Sequence, residues 1–544
     1  MNRVALLLLL VSSPLAALDY TAAPTLANPA GTAVVSVSTA SALQTAITNL
    51  QSNQVIELAD GTYTLTQSLF VNYGGATTLT NVGIRSASRN PTACVIQGAG
   101  MSGAIPHGIH VSKVNGMLIA DLTIRLVANH AIQLAGESGV TNVRMYNLRL
   151  YDTGEQFIKG TTSGYGAGSD NGIVEYCLLS YTTQGTTYTN GVDVHGGDGW
   201  IIRHNRFERV NVIPGGIGPA VLMWNGSSNT LCEGNTFINC ETAIAYGLID
   251  LTAPQADHSG GIIRNNFIWR ASGTPTGVDT PDCSILVWDS PNTKVLHNTV
   301  LQNGSYANAI EYRFSTTGAE FRYNLSDAAV TDRGGGTSGN TAGGNVTSAV
   351  SGWFVSASTG NLRLSAAAPA SVVDAASTHA DATTDYDGSV RGSSPDIGAH
   401  EYNATPSAPA TPTGCTATAL SGLQVLVSWN DASSNEDGFR IERSTGGAFS
   451  TAGTVAAGVE SYTDSGLTEG QLYTYRVVSH NTVGDSSASN TAGATAVTTA
   501  PVGSSSTGGG GGGGCSTGGA AASWVLALLG LWLAARRVSF ETPV

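Results

Sequence analysis

The sequence predicts an all-β fold: a right-handed parallel β-helix, then a second β-rich domain, then a C-terminal hydrophobic helix. Two observations carry the leading element. Eight short apolar strands (GIHV, AIQL, FIKG, GVDV, AVLM, AIAY, SILV and AIEY) recur between residues 108 and 325. Each is followed by a Gly/Ser/Asp turn, a second apolar strand and, in most units, an Asn. That position falls at Asp121, Asn147, Cys177, Asn205, Asn235, Asn266, Asn298 and Asn324, at spacings of 26, 30, 28, 30, 31, 32 and 26 residues. Units of this length built from short strands bury a core only by stacking on one another.

Strand alternation sorts the side chains of each coil. In the first strand Ile109, Ile132, Ile158, Val192, Val221, Ile244, Ile285 and Ile310 face inward. In the second, Leu118, Val174, Ile202, Cys232, Ile263, Val295 and Phe321 form the matching column, with Arg144 an exception. The recurrent Asn is expected to form an internal ladder, each amide bonding the coils on either side and satisfying polar groups that water cannot reach. Upstream, Thr39–Leu50 carries Ala42, Leu43, Ala46, Ile47 and Leu50 at helical spacing after Ser/Thr starters, a helix able to cap the first coil. Val55–Leu65 then enters the first rung.

The remaining segments bound the setting. The 544 residues carry 24 Lys and Arg against 38 Asp and Glu, a net charge of −14, which argues against nucleic acid as a partner. Residues 1–17 combine Arg3, a Leu-rich stretch and small residues at Ala16 and Ala17, the pattern of a signal peptide and hence of a secreted or surface protein. Seven cysteines leave at least one unpaired, and their pairing is open. After a Ser/Thr/Gly-rich linker (501–519) with Gly508–Gly514 and Cys515, residues 520–537 form an apolar segment ending in Arg536 and Arg537. That segment is expected as a membrane-inserted helix before processing.

Function is expected on the outside of the coils, because the inside is packed. Two outward columns leave the first strands. One reads His110, Gln133, Lys159, Asp193, Leu222, Ala245, Leu286, Glu311; the other includes Thr161, His195, Trp224, Trp288 and Arg313. Strands about 4.8 Å apart put Lys159 one rung from Asp193 and His195, and Trp224 one rung further. Cleavage of a uronate-containing polysaccharide by β-elimination needs a cation for the sugar carboxylate, a base for the C-5 proton and an acid for the leaving oxygen. Lys159, His195 and Tyr188 supply these groups, with Asp193 orienting the imidazole or keeping the substrate acid neutral. Trp224, Trp288, Arg203 and Glu155 are candidate substrate contacts, the tryptophans because aromatic faces stack on sugar rings. Glu175, Arg203, Glu233 and Arg264 alternate at rung spacing and also read as a salt-bridged stripe. No cofactor is required; Asp170, Asp193 and Asp198 are candidate calcium ligands, although no regular calcium loop is visible.

Several of these motifs resemble known families. The helix-plus-GTY entry, the coil repeat and the run DYDGSVRGSSPDIGAHEY (Asp385–Tyr402) resemble pectin-lyase-like β-helix proteins over residues 35–402. GVDVHGG (Gly191–Gly197) is similar to the Asp-x-His signature of alginate epimerases and related lyases, which also take a lysine from the preceding coil. Lys159, Asp193 and His195 occupy comparable places. The family's proline is Val194 here, and its upstream tyrosine falls at Asn190, two residues from Tyr188. From Pro406 to Ala500, Trp429 in LQVLVSWND together with Leu467 and Tyr473 resembles a fibronectin type III β-sandwich, expected as a spacer or docking module. The tail resembles the Gly-Cys sorting signals of Gram-negative bacteria, which implies Cys515 as a lipid-anchoring or processing site and an outer-membrane or cell-surface location. The resemblances imply a monomeric protein that acts on an acidic polysaccharide by lyase or epimerase chemistry. A non-catalytic glycan-binding adhesin is the alternative.

Overall fold

The structure, a computed structural model, describes residues 23–183, 188–211, 218–273, 283–334, 339–402, 408–433 and 435–499. Its larger part is three parallel sheets wound by successive coils: a twelve-stranded wall 1, a ten-stranded wall 2 that starts at Gly61–Thr64, and a ten-stranded wall 3 that starts at Leu69–Val71. A nine-residue helix, Ala40–Thr48, begins where Thr39 accepts a bond from the Ala42 amide (3.1 Å), and Leu43 and Ile47 on one face join the core.

Wall 3 has the register that alternation predicts. Ile109, Ile132, Ile158, Val192, Val221, Ile244, Ile285 and Ile310 pair rung to rung, and all are fully buried. On wall 1 the inward column runs Ile84, Ile119, Met145, Val174, Ile202, Cys232, Ile263, Val295, Phe321. Leu118 and Arg144, expected in that column, pair with each other one residue out of it. Leu118 belongs to an outer cluster with Ala120, Tyr146 and Tyr176 beneath Leu26, and Arg144 bonds Glu175 on the outer face. Both faces of this stretch are apolar, so alternation gives no parity, and a one-residue slip exchanges the faces.

The asparagine ladder closes the turn between walls 1 and 2. Asn205, Asn235, Asn266, Asn298 and Asn324 each donate from Nδ2 to the Oδ1 of the next, ending on Asn345, at 2.9–3.0 Å. Each Oδ1 from Asn235 to Asn345 also accepts the backbone N–H of the Asn one coil earlier, at 2.9–3.1 Å. Upstream the register differs: Asp121 and Asn147 occupy the left-handed position itself, whereas from Cys177 onward the ladder residue follows it. Cys177 is the junction, its N–H donating to Asn205 and its sulfur taking the Leu148 N–H at 3.4 Å.

After the last coil strand, Thr341–Gly343, the chain folds back. Phe354, Leu362, Leu364, Val372 and Ile397 pack on Phe267, Leu301 and Leu325 outside wall 2. Residues 413–495 then form an antiparallel sandwich of three and four strands, with Trp429 buried against Phe439 (ring centroids 5.4 Å). The Tyr473 hydroxyl accepts the Thr468 N–H (3.1 Å), the corner bond expected at this position. The sandwich lies against wall 1: Arg203 donates to the carbonyls of Glu436 (3.3 Å) and Asp437 (2.8 Å), and Asn435 donates to Gly388 O (3.0 Å).

The expected C-terminal hydrophobic helix, and with it the membrane-inserted segment, is corrected. No helix among the described residues is long and apolar enough to cross a membrane. Ala40–Thr48, the α-helix among them, spans about 13 Å against the roughly 30 Å required. Residues 1–17, Cys515 and 520–537 lie outside the described residues. The six described cysteines are buried, and Cys94, Cys177, Cys232, Cys240 and Cys415 among them are free.

Replacing Asn235 with Ala removes the acceptor of the Asn205 backbone N–H and Nδ2, and the side-chain donor to the Ile202 carbonyl and the Asn266 Oδ1, inside a buried turn. Urea unfolding of that variant is expected to show a loss of about 2–4 kcal/mol.

Candidate functional site

Wall 3 brings Lys159, Asp193, His195 and Trp224 onto one outer strip. The strand Ile158–Gly160 sets Lys159 opposite Asp193, and Pro219–Trp224 sets Trp224 opposite His195. Asp193 has no solvent exposure, while the side chains of Lys159 and His195 are 15% and 21% exposed. A buried carboxylate must be paired. Lys159 Nζ donates to Asp193 Oδ2 (2.6 Å), and the Trp224 indole N–H donates to Oδ1 (3.0 Å).

Lys159 Nζ also lies 2.8 Å from His195 Nε2. An ammonium only donates, so Nε2 is the acceptor and the neutral ring carries its proton on Nδ1. Burial depresses the His195 pKa to about 4; the Asp193 charge opposes this shift and the Lys159 charge adds to it. Asp193 does not orient the imidazole by a direct hydrogen bond, because the nearest approach is 3.6 Å. The ring is held instead by Lys159 and by Trp224, at 4.4 Å between centroids. Burial, reinforced by Asp193, raises the Tyr188 pKa well above the usual phenol range, so its hydroxyl keeps its proton.

The other expected contacts separate. Glu155 borders the strip beside His130 (3.6 Å), and burial raises its carboxyl pKa despite the Asn129 bond and the Lys159 charge. Trp288 is only 5% exposed. It packs with Leu222, Ala245 and Leu286, donates to Glu311 (3.0 Å), and is covered by the Arg313 guanidinium 3.3 Å from its ring centre. It is therefore not available to a sugar. Arg203 stands on wall 1, buried under the sandwich and bonded to Glu175 (3.0 Å), so its partner is protein.

The calcium candidates do not converge. Asp193 is held by Lys159 and Trp224, whereas Asp170 accepts the Asp198 N–H (2.9 Å) and Asp198 bonds Ser228 and Asn229 at a turn. A different group can hold a metal ion such as calcium: Asp385, Asp387 and His400, with ligand atoms within 4.8 Å of one another. Burial and the neighbouring Asp387 push the Asp385 pKa up to about 7, and Arg363 already grips Asp387 at 2.6 and 2.7 Å. Sequence reasoning placed these residues in a family-like motif without seeing that the fold-back brings them together. It also missed Phe70 on wall 3 and Tyr73 in the loop that follows it, one coil before the recognised repeat.

The His195 charge state is testable. The unfolded chain takes up its proton near the ordinary imidazole value of 6.5, and the folded site only near 4. The stability linked to neutral His195 is therefore complete above pH 6.5 and is lost as pH falls from 6.5 toward 4. Lys159→Met removes a like charge and leaves Asp193, so NMR titration should place the His195 midpoint higher than in the parent protein.

Comparison with known proteins identifies one part of the chain. Residues 410–494 match the model of the fibronectin type III domain. Similar solved structures include a Fn3-like protein from Clostridium thermocellum, at 32% identity over 16% of this chain and 95% of that one (TM-score 0.15). Domains from titin match at 22% identity over 17% of this chain and 34% of that one (TM-score 0.16). An alginate lyase from Paenibacillus sp. str. FPU-7 aligns at 18% identity over 57% of this chain and 94% of that one (TM-score 0.36). No curated protein matches the chain. The chain thus carries a fibronectin type III domain at 410–494 behind a parallel, β-helix-like core.

Proposed function

We propose that the protein is carbohydrate-active and that wall 3 processes an acidic, uronate-containing polysaccharide by abstracting the C-5 proton of the sugar. One observation carries this reading: a solvent-facing lysine bridges a buried aspartate and a neutral imidazole beside a partly exposed tryptophan.

Each group has a part. The Lys159 ammonium faces the sugar carboxylate and stabilises charge that develops at C-5. Because Asp193 already balances Lys159, an arriving carboxylate adds net negative charge next to His195. That charge raises the basicity of an imidazole which is neutral but weak in the free protein. The ring can then take the C-5 proton. In a lyase, the C–H electron pair becomes the C4–C5 double bond, the C4–O4 bond breaks, and the protonated Tyr188 hydroxyl gives its proton to the leaving oxygen. In an epimerase, the carbanion is reprotonated at C-5 from the opposite face and the glycosidic bond survives. Trp224 stacks on the ring being processed.

The alternative is a glycan-binding surface without turnover. It is favoured by the internal saturation of Lys159, which already has both a carboxylate and an imidazole partner.

A screen of alginate, polygalacturonate and hyaluronan separates the readings. Lyase action yields ultraviolet-absorbing unsaturated ends, and epimerase action yields solvent deuterium at C-5 without chain cleavage. His195→Ala is expected to reduce turnover about 10²–10⁴-fold. Unchanged turnover in that variant rejects the assignment, and retention without either product selects the binding surface.

A further inference from the structure

Among the described residues, the outer strip of wall 3 continues beyond the Lys159 cluster in only one direction. Toward the C-terminal coils its column is Leu222, Ala245 and Leu286, all fully buried with Trp288 in an apolar patch. Toward the N-terminal coils it reads Gln133, His110 and Phe70, in register rung by rung. There the surface ends in exposed aromatic rings: Phe70 is 36% and Tyr73 68% exposed. Phe70 and Tyr73 lie 5.2 Å apart between centroids, and the Tyr73 ring stands edge-on to His110 at 5.3 Å.

The loop that presents Tyr73 is pinned. Asn72 Nδ2 donates to Thr77 O (2.9 Å) and to Lys113 O (2.8 Å), while Lys113 Nζ donates back to Gly75 O (2.7 Å). Exposed rings held this way lose little freedom when they bind a partner. Burial lowers the pKa of His110, and that of His107 to about 4, so neither imidazole is a cation at neutral pH, and the Lys113 ammonium already donates to Gly75 O at this end. Its chemistry suits the apolar face of a sugar ring rather than a carboxylate.

We infer that Phe70 and Tyr73 form a distal sugar-binding subsite, which receives the same polysaccharide chain whose uronate lies at Lys159 and His195. The inference rests on the proposed function and adds a direction to it: the polymer runs from the cluster toward the N-terminal cap. Three strand spacings separate Phe70 from Lys159, about 14 Å, a span of roughly three sugar rings when each advances by about one strand spacing.

The test uses the full chain, with alginate, polygalacturonate and hyaluronan polymers and their disaccharides as probes. Tyr73→Ala and Phe70→Ala are each expected to weaken retention of the polymer in affinity electrophoresis about tenfold and to raise its KM without changing kcat. Disaccharides, too short to reach the platform from the cluster, should be handled as by the parent protein. Tyr73→Trp, which keeps an aromatic face, should restore retention. If both alanine variants hold the retained polymer as tightly as the parent protein, the subsite is overturned while turnover through Lys159 and His195 stands. If the parent protein neither retains nor turns over any of the three polymers, the subsite and the proposed function fall together.

Discussion

Coil-to-coil register is the constraint on which the rest of this structure depends. A parallel wall is fixed by two devices acting on different faces: aliphatic columns that fill the interior, and an amide ladder that closes a turn. The ladder is the more demanding, because each buried Asn has its donor and acceptor committed to neighbouring coils. A coil displaced by one residue would break both sets of bonds and turn its aliphatic column outward. Once the register is held, Lys159 stands opposite Asp193 and His195 opposite Trp224 without any loop being needed to place them. The candidate site is built on the rigid part of the molecule.

The same rung spacing produces two different electrostatic outcomes on two walls. On wall 1, burial alone would raise the Glu175 carboxyl pKa, but Arg144 and Arg203 hold it below its usual range, and Glu233 is held down by Arg264 and Arg203. Those charges answer one another and leave nothing for a ligand. On wall 3, one lysine answers one carboxylate, and the third member is a histidine that burial keeps neutral. Proton transfer to that ring becomes favourable only when further negative charge arrives. What separates the candidate cluster on wall 3 from the structural stripe on wall 1 is thus the presence of a group whose protonation can change in the accessible range.

How much of this was legible follows from what alternation encodes. Period-two patterning is a statement about faces, so the inward Ile109–Ile310 column and its outward partners could be aligned from sequence alone. Where both faces are apolar, as around Leu118, the pattern carries no parity and the column slipped by one residue. Alternation also cannot tell outward from exposed. Trp288 points outward yet is covered by Arg313, and Arg203 points outward yet is buried by a segment 233 residues away in the chain. Phe70 escaped notice for the opposite reason: its rung precedes the recognisable repeat, and no second unit marked it. The grouping of Asp385, Asp387 and His400 depends on a fold-back with no periodicity at all.

Arg203 shows how a repetitive wall accepts a non-repetitive neighbour. Its Nε is spent on Glu175, and its two terminal nitrogens reach the carbonyls of Glu436 and Asp437 at the start of a sandwich strand. A guanidinium suits this position because its donors are fixed in a plane and cannot be neutralised by deprotonation. Side-chain donation to backbone carbonyls specifies the path of the partner chain rather than its residue types. It therefore fixes the position of the sandwich without requiring an apolar interface. The attachment also falls on wall 1, whereas Lys159 and His195 face outward from wall 3. The fibronectin type III domain is consequently bonded to the coils through a surface that the candidate sugar strip does not use, and the two can be altered independently.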